Sequence, residues 1–195
     1  MTYKELRDSV LKLLDRYSVD GVQVPLSYNC QADDVLRIPA LARDGLYYVS
    51  TAGKKLRTAQ LLPITDTRGD LLVCDLPEDY YRMAGGLCRE DGTPCRGVRM
   101  IGGRQLMLPK EEAGRLVLDY YRYPNVPDGW PEDDEDTLDC CEEAGIAVAY
   151  YVAAHLAMED ADGLYGMLYS EFERKMAALQ DISADGAEAV DVYGW

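Results

Sequence analysis

Apolar positions recur at the helical period in four places along the chain. Near its start, Tyr3, Leu6, Val10, Leu13, Leu14 and Tyr17 form one stripe opposite Lys4, Asp8, Lys12 and Asp15, and Thr2 with Glu5 three residues on has the form of a capping box. This predicts a helix that stops before Asp20-Gly21. Asp33 to Ser50 carries a second stripe, Val35, Ile38, Leu41, Leu46 and Val49; Pro39 falls inside it and predicts a kink, or a short turn ahead of the main helix. The third pattern starts at Thr137. Leu138, Cys141, Gly145, Val148, Val152 and Leu156 recur at spacings of three and four, and Ile146, Ala149, Ala153 and Ala157 add a second row. A helix apolar on two sides is mostly buried. The fourth, Leu164, Leu168, Phe172, Met176 and Leu179, is one-sided, with Glu171, Glu173, Arg174 and Lys175 mostly outside it. Glu159 to Gly163 leaves room only for a tight reversal, so these last two helices are expected to form an antiparallel αα-hairpin. Its core would be Leu138, Val148, Val152, Leu156, Leu164, Leu168 and Phe172, with alanines and Gly145 permitting close helix contact.

Between the second and third patterns the period changes. Segments around Lys55–Leu62, Leu71–Leu76, Tyr80–Met83, Gly97–Ile101, Arg104–Leu108 and Arg115–Tyr123 are short, carry Val, Ile, Leu or Tyr, and are separated by Gly, Pro and Asp. They predict strands of one small antiparallel sheet. Gly102-Gly103 between two of them suits a two-residue hairpin turn, which demands positive φ, and a second turn is expected at Pro109 to Gly114. The expected class is therefore α+β. Residues 1–54 and 131–181 make one helical bundle domain, 55–123 an inserted antiparallel β lobe, 124–130 a Pro- and Gly-rich linker, and 182–195 an extended C-terminal arm.

Charge adds a second layer. The formal net charge is −15, and much of it is local: Glu132 to Glu143 holds eight acids and no base, Asp181 to Trp195 four acids and no base. The acids from Asp133 to Asp136 sit where the third helix is expected to begin, where carboxylates meet the positive end of the helix dipole and need no ligand to explain them. With a formal net charge of −15, the chain is not expected to offer the counterion-releasing face that holds a phosphate backbone, so DNA is expected to pass it without specific binding. No apolar run approaches the roughly 18 residues of a membrane span, and no basic segment followed by an apolar one opens the chain, which predicts a soluble, unexported protein with no membrane partner.

Candidate chemistry is sparse. The single histidine, His155, lies among alanines and a leucine inside the third helix, a setting for a hydrogen-bonded core or interface residue rather than a base. There is no phosphate loop, nucleophile elbow or HExxH pattern. Asp160-Ala161-Asp162-Gly163 has the look of the centre of a calcium loop but fails at both ends, at Met158 and Tyr169. The six cysteines show no CxxC spacing and read as reduced thiols; only Cys88 and Cys95, flanking a turn, could staple a loop. No catalytic residue, metal site or cofactor is expected. Tyrosine, 15 residues against one phenylalanine, suits protein contacts and half-buried strands alike. The end of the chain has acids Asp185, Glu188 and Asp191 and closes on Val190, Val192, Tyr193 and Trp195. That is odd for a tail that only solubilises, and suits an arm that is mobile when free and orders on a partner.

The order of parts, with particular residues, carries a resemblance. Asp33-Asp34-Val35-Leu36-Arg37-Ile38-Pro39-Ala40-Leu41, the strand end Asp119-Tyr120-Tyr121-Arg122-Tyr123-Pro124, and Glu143-Ala144 through Tyr150-Tyr151-Val152-Ala153-Ala154-His155-Leu156 to Leu164-Tyr165 and Tyr169-Ser170-Glu171-Phe172 resemble the head–tail connector adaptors of tailed bacteriophages, over Met1 to Leu179. The resemblance implies a structural virion protein, made in the host cytoplasm and located in the neck of the virion. It would assemble with neighbouring copies as a dodecameric ring under the portal protein, extend the DNA channel, and offer a platform to a tail or stopper protein. Connectors of this group often send a C-terminal arm into the portal, which would give Asp185, Glu188, Val190, Asp191, Val192, Tyr193 and Trp195 a docking role. The reading of a different class is a small ligand-binding or regulatory dimer with no phage neck role.

Overall fold

The computed structural model describes residues 1–14, 18–19, 22–23, 29–126, 135–159 and 163–184. The protein is mixed α+β, with four α-helices and antiparallel strands among the described residues. It divides into two compact units: the described residues of Met1–Lys55 and Pro124–Gly186 make the first, and Leu56–Tyr123 builds the second.

The first unit is helical. Helix α1 (Tyr3–Leu13) opens on a complete capping box: Thr2 Oγ1 accepts from the Glu5 N–H at 3.2 Å and the Glu5 carboxylate accepts from the Thr2 N–H at 2.8 Å. It buries Tyr3, Leu6, Val10 and Leu11, with Leu14 at its C-cap; Leu13 is only partly buried and Tyr17 lies outside the described residues. Ser18–Val19 (β1) and Val22–Gln23 (β2) then pair antiparallel.

Helix α2 (Asn29–Ala52) begins earlier than its stripe predicted and continues through Pro39. A proline forfeits one backbone bond. Here Ile38, Ala42, Leu46 and Val49 are all essentially removed from water, so burial of that face holds the helix across the gap; Val35 and Leu41 are half-buried. Gly45 marks the close approach of α2 to the third helix, since a β-carbon there would lie 3.0 Å from Tyr151 and 3.2 Å from Val148.

Helix α3 (Glu142–Leu156) packs on α1, on α2 and on α4 (Leu164–Ala184). It starts later than the apolar period predicted. Cys141 is its N-cap, and Leu138, though buried, lies ahead of it. The chain there is extended against the N-terminus: the Tyr3 N–H donates to the Asp136 carbonyl at 2.8 Å, the Leu138 N–H to the Met1 carbonyl at 3.0 Å, and Thr2 bridges Thr137. An extended strand that buries one residue satisfies the same spacing as a helical turn, which is why period alone misplaced the boundary.

The acidic run moves with that boundary. Asp136 is engaged with Tyr3 through its backbone, the Glu135 carboxylate pairs with Lys4 at 3.5 Å on the exposed surface, and Asp133 and Asp134 lie outside the described residues. The carboxylates at the dipole of α3 are instead Glu142 and Glu143, in its first turn. Helix α4 runs on to Ala184, so Ile182, Ser183 and Ala184, placed in the arm by the sequence pattern, are helical; 185–195 lie outside the described residues.

The second unit is built of strands β3 (Leu56–Leu62), β4 (Asp66–Arg68), β5 (Leu71–Asp75), β6 (Tyr80–Arg89), β7 (Arg99–Ile101), β8 (Gln105–Pro109) and β9 (Leu116–Arg122). They form two sheets instead of the one expected, ordered β3-β9-β6 and β4-β5-β8-β7, every pair antiparallel. Leu62, Leu87, Leu116, Leu118 and Tyr120 of the first sheet and Leu72, Cys74, Leu106 and Leu108 of the second meet in one core. Strand β4 is Asp-Thr-Arg, exposed throughout, and had no apolar signal to announce it. Strand β6 outruns its predicted end because Gly85 and Gly86 do not stop it; they make a bulge, with a register shift between Met83 and Gly86 and φ 100° at Gly86. Gly102 and Gly103 take φ 60° and 71°, but Ile101 pairs with Gln105, so Arg104 joins the loop and the connection has three residues, not two. A 3-10 turn, Lys110–Glu112, occupies the second predicted turn.

Leu56–Tyr123 carries ten acids and ten bases, leaving 25 acids and ten bases for the rest. The whole net charge thus belongs to sequence outside the β unit.

Candidate functional site

The seven residues expected to form the hairpin core fall in the helical unit. Leu138, Val148, Val152, Leu156, Leu168 and Phe172 are buried there and Leu164 is partly buried. They are structural. The seven arm residues, Asp185, Glu188, Val190, Asp191, Val192, Tyr193 and Trp195, lie outside the described residues, as do Asp160 and Asp162 of the calcium-loop-like stretch.

What reaches the surface of the helical unit is a run of rings. Tyr48 of α2 stacks on Tyr151 of α3 at 6.3 Å, and both meet Phe172 of α4, at 5.8 and 5.4 Å. From Phe172 the run continues along α4 to Tyr169 at 5.7 Å, and Tyr169 stacks in turn on Tyr165 at 5.5 Å. His155 closes it, 4.0 Å from Tyr151 and 6.4 Å from Tyr169, with Nδ1 2.7 Å from the Tyr151 carbonyl. The backbone acceptor places a proton on Nδ1, one turn along its own helix. Phe172 anchors the run in the core, while Tyr48 is 47% exposed, so the run leads from core to solvent. Burial pushes the Tyr151 and Tyr169 hydroxyls up, which keeps them neutral. The result is an amphipathic surface of the kind enriched at protein contacts. The spacing of Tyr165 with Tyr169 and of Tyr151 with His155 was visible in sequence; the junction with Tyr48 was not, because only tertiary packing makes it.

Between α1 and α3 a groove of about 310 Å³ is lined by Met1, Ser9, Lys12, Leu13, Ile146, Ala149 and Tyr150. Lys175 Nζ lies 4.8 Å from the Tyr150 ring centre, a cation–π contact.

In the β unit polar side chains tie neighbouring strands together. Arg57 grips Asp119 with two bonds, Nε to Oδ1 at 3.0 Å and Nη2 to Oδ2 at 2.6 Å, and a β-carbon at Gly85 would collide with that same Oδ2. Strand order β3-β9-β6 brings 57, 119 and 85 together, and nothing in their sequence spacing hints at it. Tyr120 is buried, stacks on Tyr80 at 5.7 Å and donates its hydroxyl to Asp79 at 2.9 Å; burial first, then Asp79, pushes that hydroxyl up. Tyr81 packs on Tyr123 at 5.0 Å. Tyrosines that read as candidates for an interface here hold two strands together.

The described cysteines, 74, 88, 95, 140 and 141, are free. Burial raises the thiols of Cys74, Cys88 and Cys95, and that of Cys140 up to about 12, so these four stay protonated at neutral pH. Cys88 opposes Pro94 and the Cys95 N–H donates to the Leu87 carbonyl, a register that turns the two thiols to opposite faces. Cys95 packs on the core while the Cys88 thiol faces the Val117 carbonyl at 3.6 Å. Among the described residues, no three His, Cys, Asp or Glu side chains are grouped to hold a metal ion, and no helix is long and apolar enough to cross a membrane.

Set against known proteins, the chain matches no family model and no curated protein.

Proposed function

We propose that the chain is a structural adaptor of a phage neck: a helical bundle closed by an αα-hairpin, carrying an inserted β lobe and a C-terminal arm, and assembling head to tail into a ring between portal and tail. A ring needs two unlike faces on each subunit, whereas a dimer needs one self-complementary face. The observation that carries the reading is the presence of two unlike surfaces on one chain, the aromatic surface of the helical unit and the sheet edges of the β unit that no strand pairs among the described residues. The resemblance in residue pattern points the same way. In this role the protein performs no reaction and holds no cofactor; its partners are portal protein, neighbouring copies, and a tail or stopper protein, with DNA passing by. Native mass measurement and negative-stain imaging with and without portal rings test it. A ring seated on portal is the expected result, and a discrete dimer indifferent to portal would sink the reading. The groove between α1 and α3 favours one other reading, a small-ligand or regulatory dimer, and the same experiment separates the two.

A further inference from the structure

The stretch from Gly92 to Lys110 runs against the charge of the chain: it holds four bases, Arg96, Arg99, Arg104 and Lys110, and no acid. Most of it is the β7–β8 hairpin, with Gly102 and Gly103 in the turn. All four bases are exposed. No ion pair holds Arg96, Arg99 or Lys110 among the described residues, and Arg104 donates to the Glu78 carbonyl at 3.5 Å, which leaves its charge uncancelled. Between these bases Met100 and Ile101 of β7 are 46% and 43% exposed. The hairpin thus offers arginine and apolar contact together. That combination suits a protein surface better than a phosphate backbone, which has nothing to cover Met100 and Ile101.

The aromatic face of the helical unit has the complementary make-up. Tyr48, Tyr151 and Tyr169 meet around Phe172; Asp44 lies one turn before Tyr48 on α2, and Glu173 one turn after Tyr169 on α4. Both acids are exposed and in no ion pair among the described residues. Besides burial, Asp44 raises the Tyr151 hydroxyl, and Tyr48 and then Glu173 raise that of Tyr169, so the two carboxylates stand at the rim of the rings. Neighbouring bases are directed or engaged elsewhere. Arg43 projects about 100° round α2 from Asp44, and Arg37, two turns before Asp44, has an interaction of its own. On α4, Arg174 is held by Glu171 and Lys175 lies over Tyr150. Aromatic rings accept arginine and methionine, and carboxylates at their rim accept the charge.

Charge also decides how two copies meet. Two aromatic faces would set acid against acid, and two hairpins base against base; only hairpin on aromatic face sets base against acid. We infer that the β7–β8 hairpin of one copy docks on the Tyr48–Tyr151–Tyr169 face of the next, a head-to-tail contact between unlike surfaces. The inference rests on the head-to-tail assembly proposed above and supplies its contact, and it needs no portal.

Sedimentation velocity on the full chain, over a wide concentration range at low salt and without portal, tests it. The unaltered chain is expected to form species beyond the dimer, and these to dissociate as salt is raised. Asp44→Lys with Glu173→Lys blocks the aromatic face, and Arg96→Glu with Arg99→Glu blocks the hairpin. Each variant alone is expected to associate about a hundredfold more weakly, or worse. Mixed, the two retain one matching open face each, so a one-to-one pair and nothing larger should form. All four substituted residues are exposed, and unchanged thermal melting checks that each variant is folded. An unaltered chain that stays monomeric, a dimer that does not grow with concentration, variants that associate as the unaltered chain does, or a mixture that gives no pair would each overturn the inference. So would duplex DNA held through Arg96 and Arg99 in place of association. Imaging with portal rings decides the adaptor reading separately. A chain that pairs in the mixture yet ignores portal keeps this contact and loses that role, and variants that still form rings on portal do the reverse.

Discussion

Single side chains in the two cores differ in how much they leave to be gained or lost. Val152 is fully removed from water at the centre of α3, so Val152→Asp would bury a carboxylate without a partner and should cost about 3–5 kcal/mol, read as a large fall in melting temperature. Ser50 is the opposite case. Its hydroxyl is buried with no hydrogen-bond partner among the described residues, while its neighbour Thr51 bonds back to the Tyr47 carbonyl at 2.8 Å. Ser50→Ala removes an unsatisfied group and improves helix propensity, and denaturant titration should find a gain of about 1 kcal/mol. Gly85 is required by sterics, since any β-carbon displaces Asp119 from Arg57. Gly85→Ala should destabilise by about 1–3 kcal/mol, and a double-mutant cycle with Arg57→Ala should be non-additive. Of these three sites only Val152 was legible in sequence, because burial follows a period whereas an orphaned hydroxyl or a close approach depends on what packing brings near.

At the level of elements, the helices were readable because each carries an apolar stripe over several turns, and the strands because the period shortens where Gly, Pro and Asp punctuate. Local competition blurred the rest. Residues 136–138 went to the N-terminal segment instead of α3, and β6 ran past its expected end at Met83 through a bulge at Gly85-Gly86. Strand β9, central in its sheet, carries a titratable consequence. The Tyr120 hydroxyl is held above its ordinary value of 10 by burial and by Asp79, and Tyr80 beside it is raised by burial. A phenol that resists ionisation in the fold stabilises fully below its unfolded value, and that contribution is lost as pH rises through the interval above about 10. Alkaline titration followed by circular dichroism should therefore show the β unit losing stability above about pH 10. Tyr120→Phe should flatten most of that dependence, at a cost near neutrality of about 1 kcal/mol for the lost bond to Asp79.

Across the whole molecule, charge is partitioned as sharply as structure. By composition the β unit is neutral and the remainder acidic, and counterion release from a net-basic face is what holds duplex DNA to a protein. Tight binding of duplex DNA by the isolated protein at physiological salt is not expected, and a filter or anisotropy assay checks it. The split of the strands into two sheets around one core was beyond reach of the sequence, because both sheets draw on the same kind of alternating segment and only the pairing of β5 with β8 and of β6 with β9 separates them.

The same arrangement has a consequence for synthesis. Among the described residues the β unit is continuous in the chain, from Leu56 to Tyr123, whereas α1 and α2 cannot bury their inner faces until α3 has been made. As the chain leaves the ribosome, strands β3 to β9 have all been made while the first unit is still two exposed helices awaiting their partner. The unit inserted in the middle is then the first to finish, and the helices made earliest are exposed for longest, which makes them the natural clients of a chaperone.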